Sequence, residues 1–117
     1  MESILTSIKK LLGITEDYTH FDADIVMHIN TVLMDLTNLD VGPSEGFIIE
    51  DSSSCWTDFV PDPEALQAIK SYMYLRVKLL FDPPSASYLI ESMQRQIDKF
   101  EWLINVAAEN KKSSETT

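Results

Sequence analysis

The chain has 117 residues, 44% of them hydrophobic and 24% charged, which is the size and composition of one globular domain with a modest core. Nineteen Asp and Glu against nine Lys and Arg leave a net charge of -10, which argues against a grip on nucleic acid through phosphate neutralisation. No apolar run approaches the roughly 20 residues that span a bilayer, the start Met1-Glu2-Ser3-Ile4 lacks the features of a signal peptide, and the single cysteine, Cys55, excludes an internal disulfide. A cytoplasmic protein is expected.

Ile4, Leu5, Ile8, Leu11 and Leu12 fall on one helical face, and Gly13 is a suitable stop, so a short first helix is predicted. After a polar connection, Asp22 is placed to cap a second helix, with Phe21 stapling onto Val26. Its apolar stripe is Ile25, Ile29, Val32, Leu33, Leu36 and Leu39. From Asp40 to Asp62 no helical period survives, and Gly42, Pro43, Gly46, Ser52-Ser53-Ser54 and Pro61 mark irregular chain. Phe47-Ile48-Ile49 could form one short extended segment there. The apolar residues Phe47, Ile48, Ile49, Trp56, Phe59 and Val60 exclude a plain disordered linker. They either fold back as a lid or await a partner.

Pro63 after Asp62 starts a third helix, with Leu66, Ile69, Met73, Val77 and Leu80 as its main stripe. Tyr72, Tyr74, Leu75, Leu79 and Phe81 widen that stripe, so this helix is either central or shared with another chain. Pro83-Pro84 must end it, and Ser85 or Ser87 can cap a fourth helix carrying Leu89, Met93, Ile97, Phe100 and Ile104. The short connection makes these two helices an antiparallel pair, with Leu66, Ile69, Met73, Val77, Leu89, Met93, Ile97 and Phe100 in the core. The fold class is therefore all-α, a bundle of about four helices. A single domain is expected over 1–110, with the loop at 40–62 and a polar tail at 111–117 that is disordered by itself.

Charge is unevenly spread. Residues 11–69 hold twelve acids and no Lys or Arg, and the rest of the chain holds seven acids and nine bases. One face must be strongly negative, suited to a basic partner or to repelling a passing polyanion. Catalytic signals are weak. Asp22, Asp24 and His28 could surround a metal in principle, but no Cys or second His stands at ligand spacing. The Ser52-Ser53-Ser54-Cys55 run has no base placed beside it, and three glycines leave no phosphate-cradling loop. No enzyme activity, cofactor or metal is expected.

Ile8-Lys9-Lys10-Leu11-Leu12-Gly13-Ile14, Phe21-Asp22 leading to Ile29-Asn30, Gly42-Pro43 to Gly46-Phe47 with Trp56, and Leu80-Phe81-Asp82-Pro83-Pro84-Ser85 with Glu101-Trp102 run through nearly the whole chain. In these segments it resembles the head-tail connector, or adaptor, proteins of tailed phages and prophages. The resemblance implies a structural virion subunit at the head-tail interface, assembled in the host cytoplasm. Such subunits form a homo-oligomeric ring, twelvefold in the virion, beneath the portal protein. The ring extends the DNA channel, which DNA passes without specific binding, and receives a stopper or tail-completion protein; no membrane is involved. Contact residues are expected in the loop, at Phe47, Ile48, Ile49, Trp56 and Phe59, because they are too apolar for a free loop, and the resemblance implies further contacts toward the portal in the carboxy-terminal part, at Trp102, Lys111 and Lys112. A different reading of the acidic stretch is an inhibitor that mimics DNA in a basic groove.

Overall fold

The computed structural model describes residues 2–115, apart from the side chains of residues 63, 64 and 110–115. Among these residues the chain forms five helices and no strand: α1 (Ile4–Leu11), α2 (Asp22–Asn38), α3 (Trp56–Phe59), α4 (Pro63–Phe81) and α5 (Ser87–Glu115). The all-α bundle is as expected, with one short helix, α3, added inside the loop. The expected tail at 111–117 begins inside α5, and its side chains lie outside the described residues.

Local chemistry sets the helix ends. Ser3 caps α1 by accepting from the Thr6 N–H at 3.2 Å. At the other end, Gly13 takes φ 84° while its N–H bonds the Lys10 carbonyl and that of Ile14 bonds Lys9, which closes the last turn. α2 ends the same way around Asp40, at φ 66°: Asp40 N–H bonds Thr37 and Val41 N–H bonds Leu36, and Val41 is buried. At its start, Asp22 is the first helical residue and not the cap, and Phe21 in the cap position makes no side-chain bond to the helix. The expected cap is lost because Asp22 has a stronger claim on it. Lys9, buried to 2% exposure, places its Nζ 2.8 Å from Asp22, a contact that is an ion pair without hydrogen-bond alignment, and donates at 3.0 Å to the Glu16 carbonyl. A buried ammonium needs such compensation. Phe21 packs its ring edge-on against Phe81 at 5.3 Å, tying the start of α2 to the end of α4.

α4 is the central helix. It packs against α5, α2 and α1, and α1 also meets α2; no comparable contact joins α2 to α5 among the described residues. Most of its wide apolar surface serves neighbours within the chain, with Ile69, Tyr72, Met73, Leu75 and Val77 buried, whereas Leu80, expected in the main stripe, is exposed near the end of the helix. Ala65 and Ile69 lie beside Leu103 and Ile104, Tyr72 reaches Glu101, and Leu79 lies beside Gln94 and Ile97, so α4 and α5 run antiparallel. Leu66, Ile69, Met73, Val77 and Ile97 are core residues as predicted, and Met93 and Phe100 are half-buried against them. Leu89 corrects the prediction: it is exposed. With α4 as its main neighbour, α5 buries only a narrow stripe, and Leu89 lies about 80° round the helix from Ile97.

The loop folds back as a lid. Ile49 is held in the core by the Asn30 side chain, which donates to its carbonyl at 2.9 Å and accepts from its N–H at 2.8 Å. The segment at 47–49 is thus clamped by a side chain and forms no strand. Trp56 and Phe59 of α3 are buried, with Ile4 N–H bonding the Ser54 carbonyl and Trp56 N–H bonding that of Glu2. Gly42, at φ 80°, faces the Phe59 ring so closely that a Cβ there would overlap it, whereas Gly46, at φ 96°, faces open space. Gly42→Ala should cost about 2–4 kcal/mol, from the left-handed backbone and the clash together. Gly46→Ala should cost only about 1–2 kcal/mol, from the backbone alone. Equal losses for the two variants in urea titrations would contradict the seating of Phe59 under Gly42.

Candidate interaction surfaces

The expected contact residues divide by burial. Ile49, Trp56 and Phe59 are at most 2% exposed and belong to the core of the chain, the lid arrangement of the two that the loop left open. The reason is local: the Trp56 indole N–H has an internal acceptor, Ser7 Oγ at 2.8 Å, and Lys70 Nζ stands 5.9 Å over the ring. Phe47 is half-buried, its ring 5.3 Å from that of Phe59. Ile48 and Trp102 are turned outward, at 69% and 63% exposure. Lys111 and Lys112 have side chains outside the described residues.

Two exposed surfaces result, one on each helix that flanks α4. On α2 the outward residues Asp24, Met27, Thr31, Met34 and Asn38 lie opposite the buried Ile29. Between this face and the loop runs a groove of about 750 Å³ with Met27, Met34, Phe47 and Ile48 among its walls and Glu45 at its edge. On α5 the residues opposite buried Ile97 are Tyr88, Arg95, Lys99 and Trp102, all exposed. Sequence reading singled out Trp102 alone, although the seven-residue spacing Tyr88, Arg95, Trp102 was there to find.

A polar chain holds the two flanking helices in place across α4. Arg76 donates to Asp35 of α2 and to the Tyr72 hydroxyl, both at 2.7 Å, and that hydroxyl donates to Glu101 of α5 at 3.1 Å. Burial pushes the Tyr72 phenol above its ordinary pKa; Arg76 pulls it back and Glu101 adds to the rise. Burial works against the Arg76 charge, but the bonds to Asp35 and Tyr72 outweigh it and hold its pKa above the usual value. These groups are mutually satisfied and tie the framework together.

The acids of residues 11–69 are mostly on the surface: Glu16, Asp17, Asp24, Asp40, Glu45, Glu50, Asp51, Asp58 and Asp62 are exposed. Of the three residues considered for a metal, Asp22 is engaged by Lys9, and His28 is half-buried, its ring 6.4 Å from that of Phe81. Among the described residues no three His, Cys, Asp or Glu side chains gather as a metal site, and no helix is long and apolar enough to cross a membrane.

Comparison with known families finds a match to one described as phage connector protein, over residues 4–111. No curated protein and no solved structure matches the chain.

Proposed function

The chain belongs to the phage connector protein family, and from that premise we propose that it is a ring-forming subunit between the portal and the tail. The family is structural, and its members are virion components. In the proposed role, copies of the chain form a ring beneath the portal protein, prolong the DNA channel and receive a stopper or tail-completion protein. The observation that carries the reading is a complete core beside two uncovered surfaces, the apolar α2 groove and the α5 stripe with its exposed aromatic ends. A domain whose aromatic loop is already consumed internally still presents Ile48, Met34, Tyr88 and Trp102 to water. Exposed large apolar and aromatic residues of this kind carry interfaces. The exposed acids fit a channel wall that DNA passes without adhering.

Co-sedimentation with portal rings of the phage that encodes the chain tests this. The parent should pellet with the rings. Trp102→Ala should melt with the parent yet weaken assembly by on the order of 2 kcal/mol, as for an aromatic anchor. A parent chain that stays in the supernatant at all protein concentrations would overturn the proposal.

A further inference from the structure

The two exposed surfaces complement each other. Tyr, Trp and Arg are the residue types on which binding energy concentrates, and the α5 stripe has Tyr88 and Trp102 at its ends with Arg95 and Lys99 between them. Neither aromatic ring stacks within the chain among the described residues, and they are 70% and 63% exposed. Lys9, Lys70, Arg76 and Lys78 each have a carboxylate partner inside the chain, whereas Lys10 on α1 and Arg95 and Lys99 on the α5 stripe form no ion pair among the described residues. The α2 surface is the converse. Its methionines and Ile48 are apolar and adaptable, and Asp24 and Glu45 beside them form no ion pair among the described residues.

Resting on the connector reading for the presence of neighbouring copies, we infer that the α5 stripe of one copy docks in the α2 groove of the next. Lengths agree: the stripe from Tyr88 to Trp102 spans about 21 Å and the α2 wall of the groove from Ala23 to Asn38 about 22 Å, at 1.5 Å per residue. Charge favours the pairing. Groove on groove would oppose Glu45, and Asp24 beside it, to their own copies with no base on that surface to offset them, whereas stripe in groove brings Arg95 and Lys99 to those acids. Glu91 and Asp98, exposed beside the cations, give stripe on stripe mixed charge and leave the acidic groove as the partner that selects the cations. The two surfaces lie on the outward sides of helices that both pack chiefly on α4, so a copy can use both at once. Contacts of two different patches repeat head to tail and close into a ring when the rotation allows.

Cross-linking tests the contact directly. In a Cys55→Ser background, one preparation carries Thr31→Cys and a second carries Arg95→Cys; both positions are exposed and sit at the midpoints of their surfaces, so they meet whichever way the helices run. The two are mixed at high concentration, with and without portal rings, and treated with a short bifunctional thiol reagent. The expected product joins positions 31 and 95 of different copies, and neither preparation alone gives a dimer. Adding Lys99→Glu to the second preparation should cut the yield by about tenfold or more, since an attractive charge becomes a repulsive one. Products joining 31 to 31 or 95 to 95 in excess of the mixed one, or no product in either condition, overturn the inference. Cysteine variants that bind portal rings without giving the mixed product would remove this contact and leave the connector role. A mixed product from a chain that ignores portal rings would do the reverse.

Discussion

Trp56→Ala should destabilise the isolated domain by about 3–5 kcal/mol, the cost of emptying a buried aromatic site. Trp56 is the largest fully buried side chain and is 2% exposed. Its removal does three things together. It leaves a void between the loop and α1, it strips Ser7 Oγ of the indole donor at 2.8 Å, and it takes away the ring beneath Lys70. Because whole domains are stable by only about 5–15 kcal/mol, the midpoint of urea unfolding should fall far below that of the parent. Trp56→Phe, which keeps most of the volume, should lose less. An unchanged midpoint for Trp56→Ala would mean that the loop does not seal the core.

Ile97→Asp should abolish cooperative unfolding altogether. Ile97 is 2% exposed at the centre of the α4–α5 contact, where an unpaired carboxylate costs several kcal/mol. No rescue is at hand. The nearby Arg76 is already held by Asp35 and Tyr72, and Glu101, one turn along, adds repulsion. Lys99→Asp, on the outward side of the same helix, should stay within about 0.5 kcal/mol of the parent, as surface changes do. Circular dichroism melts distinguish the two. A sharp parental transition in Ile97→Asp would contradict the assignment of the buried stripe.

How much of this could be read from the sequence depended on whether a signal was periodic. The stripes of α1, α2, α4 and α5 repeat over several turns, and Gly13 and Pro83-Pro84 punctuate them, so the bundle and its antiparallel hairpin were predictable. α3 was not, because four residues contain no period; its one local sign is Asp58 standing three residues after Cys55, whose N–H it accepts at 2.9 Å. Lys9 reads as a surface charge in any pattern, and only the fold shows that Asp22 and the Glu16 carbonyl surround it. The loop exposes a more general ambiguity. Apolar residues without a period look alike whether they cover a core or a partner. Ser7 decided the matter for Trp56 and Asn30 for Ile49, and both are far away in sequence. The width of the α4 stripe was likewise open between a central helix and a shared one, and α2 and α5 on its flanks account for all of it but the exposed Leu80. The proposed contact surfaces were half visible: Trp102 and Ile48 stood out by type, but the cations beside Trp102 gain meaning only once Ile97 fixes which side of α5 faces water.

Electron microscopy of portal rings from the encoding phage, imaged with and without this chain, tests the connector role most directly. A closed ring of added density, coaxial with the portal and continuing its channel, is the predicted result. Portal rings that look the same with and without the chain, or the chain bound as isolated copies away from the channel axis, would contradict it.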